Sequence, residues 1–248
     1  MHEVISNLIA TINHLPKNRP VVIFANSVPF FLQGGTAKDI DELIEFLIIA
    51  SSDRNILMPA FTKGFSNNFI DLDSEPSSNG YISQLFLEKT GFSRTLSAFF
   101  SFTVIGPSAR DLTQLKPIAA WGEGSLYRWL TDRKAINVTF GLEPYVSSLT
   151  HVAEYIEKDY IFYREEVIRE GRIKLREKVY DLAETLFACK EGYLVDFKPI
   201  LSHEKSSPQV FQNTKVPMAI WDSSQMVHIA RQMICSNPSI FLKQQTKV

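Results

Sequence analysis

The chain has 248 residues, of which 45% are hydrophobic and 21% charged, with a formal net charge of −1. That length buries a sizeable core without a disulfide or metal staple. The near-neutral balance, with no cluster of Lys and Arg, argues against a nucleic-acid surface, and no strong acidic excess announces a polycationic substrate.

The N-terminal stretch MHEVISNLIATINHLPKNRP carries Glu3 and a broken apolar pattern, unlike a signal peptide. The longest apolar run, LIEFLIIA, contains Glu45 and falls far short of a membrane span. Cys189 and Cys235 lie far apart without CxxC spacing, so a reducing, cytoplasmic setting is expected, with no metal.

Val4, Ile5, Leu8, Ile9 and Ile12 recur at helical spacing and predict a helix that Pro16 ends. VVIFAN (21–26) predicts a buried strand, TAKDIDELIEFLIIASS a helix with acids in its first turn, and NILMPA (55–60) a second buried strand. Residues 62–79 read as loop and GYISQLFLEKTG as a short helix. SFTVIG (101–106) reads as a strand, EGSLYRWLTDR as a helix, and INVTFG (136–141) as a further strand. A helix opens at THVAEYIEK. YIFYREEVIREGRIKLREKVY then shows two alternating segments about REGR, the mark of a hairpin. Residues 201–215 read as an irregular loop. The chain closes with a helix carrying Met226, Ile229, Ala230, Met233 and Ile234 on one face. The expected fold is α/β: a single domain over 1–248, with a mixed, mostly parallel central sheet covered by helices. An antiparallel hairpin subdomain sits within an insertion at about 160–215.

Of five histidines, His2 is terminal, His14 falls in a turn, His203 in a polar loop, and His228 off the apolar face of the last helix. His151 differs. It follows a buried-type strand and a short loop, at the strand's carboxyl end, where sites gather in sheets with helical crossovers. His151 and Glu154, at i and i+3, share a helix face. A carboxylate beside an imidazole fixes its tautomer and raises its basicity, which suits a general base and equally suits a plain helix-surface pair.

Other motifs are weaker. HExxH is absent and no third zinc ligand suggests itself. Ser125 in GEGSL is not a nucleophile elbow, because Tyr127 stands where the second glycine would be. QGG (33–35) is too short to cradle a phosphate. Arg94 in SRTLSAFFSF suits an anion clamp as well as a surface ion pair.

Taken in order, VVIFANSVPFFLQGG, LMPAFT, EPSSNGYISQLF, SRTLSAFFSFTVIG, WGEGSLYRWL, SLTHVAE and ARQMICSNPSIFL resemble the aminoglycoside 3-N-acetyltransferase family. The likeness covers most of 20–160 and the last twenty or so residues. It implies an acetyl-CoA-dependent N-acetyltransferase acting on a primary amine of an amino sugar, either an aminoglycoside or a surface-polysaccharide precursor. The acetyl group passes directly, without a covalent acetyl-enzyme. By the same resemblance His151 is the base and Glu154 its orienting acid. Asn26 and Ser27 serve the thioester oxygen, and Arg94, Thr95 and Ser101 help to hold the CoA arm or phosphates. The acidic loop IDLDSEP is a candidate pocket wall. A homo-oligomer is compatible with all of this.

Departures bear on the acceptor more than on the donor. Where the family continues Arg-Ser-x-His-Pro, this chain has Arg94, Thr95, Leu96, Ser97 and Ala98. Glu75 replaces the threonine of a Thr-Pro-Ser loop, and Ser148 stands at the threonine of Thr-x-x-His. The loss at Ser97 supports an alternative, a catalytically degenerate relative acting as a binding or scaffold protein. Retention of His151 and Glu154 counts against it.

Overall fold

The computed structural model describes residues 1–243 except 66, 92, 117 and 212–214. Part of the loop expected at 201–215, and one position of that at 62–79, therefore lie outside the described residues.

Helix α1 (Glu3–His14) buries Val4, Ile5, Leu8 and Ile12 and stops before Pro16. It leads to β1 (Val21–Ala25) and a one-turn helix α2 (Val28–Leu32), too short for periodicity to reveal. Helix α3 (Ala37–Ala50) starts from a capping box in which Thr36 and Asp39 satisfy each other's backbone amides. There follow β2 (Ile56–Pro59), β3 (Phe69–Asp71), α4 (Tyr81–Lys89), β4 (Phe102–Ile105), α5 (Ala109–Leu112) and α6 (Leu126–Asp132). The chain continues through β5 (Ile136–Phe140), α7 (Thr150–Ile156), β6 (Arg164–Leu175), β7 (Lys178–Cys189), β8 (Gln209–Val210), β9 (Met218–Asp222) and α8 (Ser223–Ser236). No helix among the described residues is long and apolar enough to cross a membrane.

The fold is α/β, with a mixed main sheet packed between helices. Its six strands run β4-β2-β1-β5-β9-β8, and parallel pairing is confined to the centre, β2 to β1 to β5. Strands β4, β9 and β8 pair antiparallel at the flanks. Alternate residues of β1 serve two cores. Val21 and Ile23 pack with α1, α3 and α4, whereas Val22 and Phe24 pack with α6, α7 and α8. Burial on both faces is why the central strands read as unbroken apolar runs.

The antiparallel arm is β6 with β7, twelve residues each, extended by β3, which lies parallel to β6. The REGR turn expected at 169–172 is not there, because β6 runs straight through it. Gly171 sits mid-strand under a ring; a Cβ there would lie 2.6 Å from Phe65 Cδ1. The arm turns instead at Arg176 and Glu177, both at positive φ (52° and 59°). Two such residues are what a tight hairpin connection requires. Asp73 makes the strained pair tolerable, since its carboxylate accepts from Arg176 N–H at 2.7 Å and Glu177 N–H at 3.2 Å.

Candidate active site

The carboxyl ends of β1 and β5 meet. Asn26 N–H donates to Phe140 O at 2.8 Å. Next in line, Gly141 adopts φ +66°, and a Cβ there would lie 1.9 Å from Asn26 O. Only glycine fits this junction. Beyond it the chain folds back on itself. Ser147 Oγ accepts from Leu149 N–H at 3.3 Å, and Thr150 Oγ1 donates to Ser147 O at 2.8 Å. Helix α7 therefore starts beside the strand ends, with His151 in its first turn.

A cavity of about 780 Å³ opens at these ends, and His151, Asn26 and Ser27 all line it. His151 Nδ1 lies 2.6 Å from Glu154 Oε2. The Glu154 side chain is fully buried and held by two further donors, Arg164 Nη2 to Oε2 at 2.7 Å and Tyr163 Oη to Oε1 at 3.1 Å. Burial pushes the Glu154 carboxyl up. The His151 hydrogen bond and the Arg164 charge and bond outweigh it, leaving Glu154 below the ordinary glutamate range.

An ionised carboxylate only accepts hydrogen bonds, which places the imidazole hydrogen on Nδ1. Nε2 then carries the lone pair, and no described residue bonds to it. Arg164 Nη2, 3.1 Å from Nδ1, is in contact with that donor rather than bonded to it. The rings of Trp121 and Phe197 flank the imidazole edge-on at 5.3 and 5.1 Å and fix its plane. The side chain is about a quarter exposed. This arrangement presents a basic nitrogen, with its tautomer set, at a cavity wall.

The structure brings together four of the seven residues singled out in the sequence. Arg94, Thr95 and Ser101 go elsewhere. Arg94 is fully buried and donates to Leu72 O, Glu75 O and Ala60 O at 3.3, 2.5 and 2.9 Å. Thr95 Oγ1 accepts from Phe102 N–H at 2.9 Å, and Ser101 Oγ donates to Ala60 O at 2.6 Å. All three pin interior backbone and stand outside the lining of the cavity. Ser97 is likewise interior. It donates to Glu184 Oε1 at 2.7 Å, while Ala98 N–H donates to Oε2 at 3.1 Å. Ser97 thus stands outside the lining of the cavity.

The acids of the IDLDSEP loop do not line the cavity. Asp71 pairs with Lys174 at 3.3 Å and Asp73 caps the arm's turn. Tyr163, Arg164, Trp121 and Phe197 were not legible as site residues, for their places depend on the arm and loops docking against α7. Among the described residues, no group of three or more His, Cys, Asp or Glu could hold a metal ion.

No curated protein matches the sequence. Solved structures do share its fold. AAC-IIIb in binary complex with CoASH superposes with a TM-score of 0.75 at 15% identity, covering 94% of this chain and 96% of that one. AAC-VIa bound to sisomicin gives 0.74 at 15% identity, covering 94% and 97%. The YokD protein from Bacillus subtilis gives 0.72 at 18% identity, covering 95% and 94%. The aminoglycoside 3-N-acetyltransferase profile matches residues 51–234. Together with the strand-end cavity, this match places the chain in the aminoglycoside 3-N-acetyltransferase family, enzymes that take their acyl group from acetyl-CoA.

Proposed function

We propose that the chain transfers acetyl directly from acetyl-CoA to a primary amine of an amino sugar, an aminoglycoside or a surface-polysaccharide precursor, with His151 as general base. The thioester supplies the activated acyl group. His151 Nε2 takes the proton from the amine as its nitrogen forms the new C–N bond; the C–S bond breaks, the sulfur leaves as thiolate, and the imidazolium returns its proton to give CoA thiol. Glu154 orients the imidazole and stabilises its protonated form. The observation that carries this reading is an imidazole whose Nδ1 is tied to a buried, ionised carboxylate while its Nε2 remains unbonded beside a cavity of about 780 Å³.

Charge developing on the acyl oxygen needs donors already in position. The Asn26 amide is engaged by Phe140, and its side-chain oxygen accepts from Val28 N–H at 3.0 Å. The Asn26 Nδ2 group and the amide and hydroxyl of Ser27 remain for this task. The whole chain acts as one acyltransferase domain, arm included, because the arm's base supplies Arg164 to Glu154. Two exposed free cysteines suit a cytoplasmic setting. Thiol release on mixing the protein with acetyl-CoA and amino sugars tests the reading. Calorimetric binding of acetyl-CoA without thiol release from any amine overturns it.

A further inference from the structure

Among the described residues lining the cavity, Asp196 is the one carboxylate, and no Lys or Arg joins it. One wall is apolar and largely aromatic, with Phe24, Phe61, Leu142, Tyr145, Val195 and Phe197, and faces neutral polar groups that include Asn26, Ser27, Asn79 and Ser148. The mouth is apolar too. Val28, Tyr81 and Val146, exposed by 57%, 42% and 40%, rim it. Phe31 extends the rim, its ring 5.8 Å from that of Tyr81. Exposed apolar groups gathered about a cavity mark a ligand surface.

Asp196 is half-buried and directly precedes Phe197, the ring packed on His151. Lys198 N–H donates to its Oδ1 at 2.9 Å, which fixes the carboxylate. Its charge is felt nearby. Burial, then the charges of Asp196 and Glu143, hold the Tyr145 phenol above its ordinary range. Glu143 is exposed and outside the lining. A carboxylate here is ill suited to the phosphates of CoA and well suited to an ammonium group. A polycation would bring several ammonium groups to one opposite charge, with only neutral hydroxyls and amides to meet the others.

We propose that the acceptor carries a single amino group on an apolar or aromatic frame, as in an aryl glycoside of a monoamino sugar, and that Asp196 receives it as the ammonium beside His151. One proton passes to solvent before the free amine attacks and gives its second proton to His151 Nε2. This rests on the acetyl-transfer reading above.

Thiol release with acetyl-CoA is measured for phenyl glucosaminide, glucosamine and sisomicin. The expected kcat/KM for phenyl glucosaminide exceeds that for sisomicin by roughly 10-fold or more. Asp196→Asn keeps the acceptor for Lys198 N–H; it should raise KM for phenyl glucosaminide about 10-fold with kcat and acetyl-CoA affinity little changed. Val146→Asp, which adds a second carboxylate at the exposed rim, should shift preference toward sisomicin. Faster turnover of sisomicin by the unaltered protein overturns the proposal while leaving the transferase intact. An unchanged KM in Asp196→Asn also overturns it. Thiol release from none of the three amines overturns the transferase reading and the proposal together.

Discussion

Arg164 Nη2 and His151 Nδ1 converge on the same oxygen of Glu154, at 2.7 and 2.6 Å. The carboxylate is thus shared between a permanent cation and the imidazole. The His151 hydrogen bond and the Arg164 charge together keep it ionised, so it orients His151 without competing for the proton the ring must take up.

Replacing His151 with Ala should lower turnover by about 10²–10⁴-fold if its nitrogen accepts the acceptor's proton. Steady-state thiol release against acetyl-CoA and an amino sugar gives the number, and unchanged turnover removes the assignment. His151 is part-exposed, so the variant's melting temperature should stay close to that of the parent.

Arg164→Met leaves the buried Glu154 carboxylate without its cation. Breaking a buried pair on one side costs about 3–5 kcal/mol, and Phe187 O also loses its donor at 3.1 Å. Urea denaturation should register the loss. Arg164→Lys should recover part of the stability and less of the activity, since a single ammonium cannot reach Glu154 and Phe187 with the same fork.

Two buried glutamates should give stability opposite dependences on pH. Glu154 holds its proton less tightly folded than unfolded, so its contribution is complete above the ordinary carboxylate value and is lost as pH falls through its lowered native value. Burial raises Glu184, despite the donors Ser97 and Ala98. Its contribution is therefore complete below the ordinary value and is lost as pH rises through the raised native one. Urea midpoints measured from acid to neutral pH should lose the acid-side slope in Glu154→Gln and the upper slope in Glu184→Gln. Retention of both slopes in both variants would contradict this assignment.

Gly141→Ala should disable the protein more than an exposed alanine usually does. It places a Cβ against Asn26 O in a backbone conformation costing about 1–3 kcal/mol for a residue with a side chain. The shift falls on Asn26 and Ser27, so acetyl-CoA affinity should drop along with thermal stability.

Asp73→Ala removes the acceptor for two amides at the arm's turn. Hydrogen exchange at Arg176 and Glu177 should accelerate, with about 0.5–1.5 kcal/mol lost, since water reaches both exposed amides. Turnover should change far less, because the turn lies at the opposite end of β6 from Arg164.

Local features were legible in the sequence and long-range ones were not. The spacing of His151 and Glu154 is set by helix geometry, and strands buried on both faces announce themselves as apolar runs. Gly171 misled because glycine marks close approach as readily as a turn. Arg94 misled for a related reason: an arginine suggests a surface charge or an anion, yet here three backbone carbonyls engage it. MAIWD after Pro217 carries the signal of β9 but merges with the approach to the last helix. Arg164 stands among alternating charges in FYREE, and nothing local distinguishes the one that the arm turns inward.

Glu154 is sealed by groups from its own helix, the segment after it and the first strand of the arm. A refolding chain that has assembled the main sheet but not docked the arm would have a cleft and no oriented imidazole. Recovery of turnover after dilution from denaturant should therefore trail recovery of helical signal, so that activity reports the last event in assembly rather than the first.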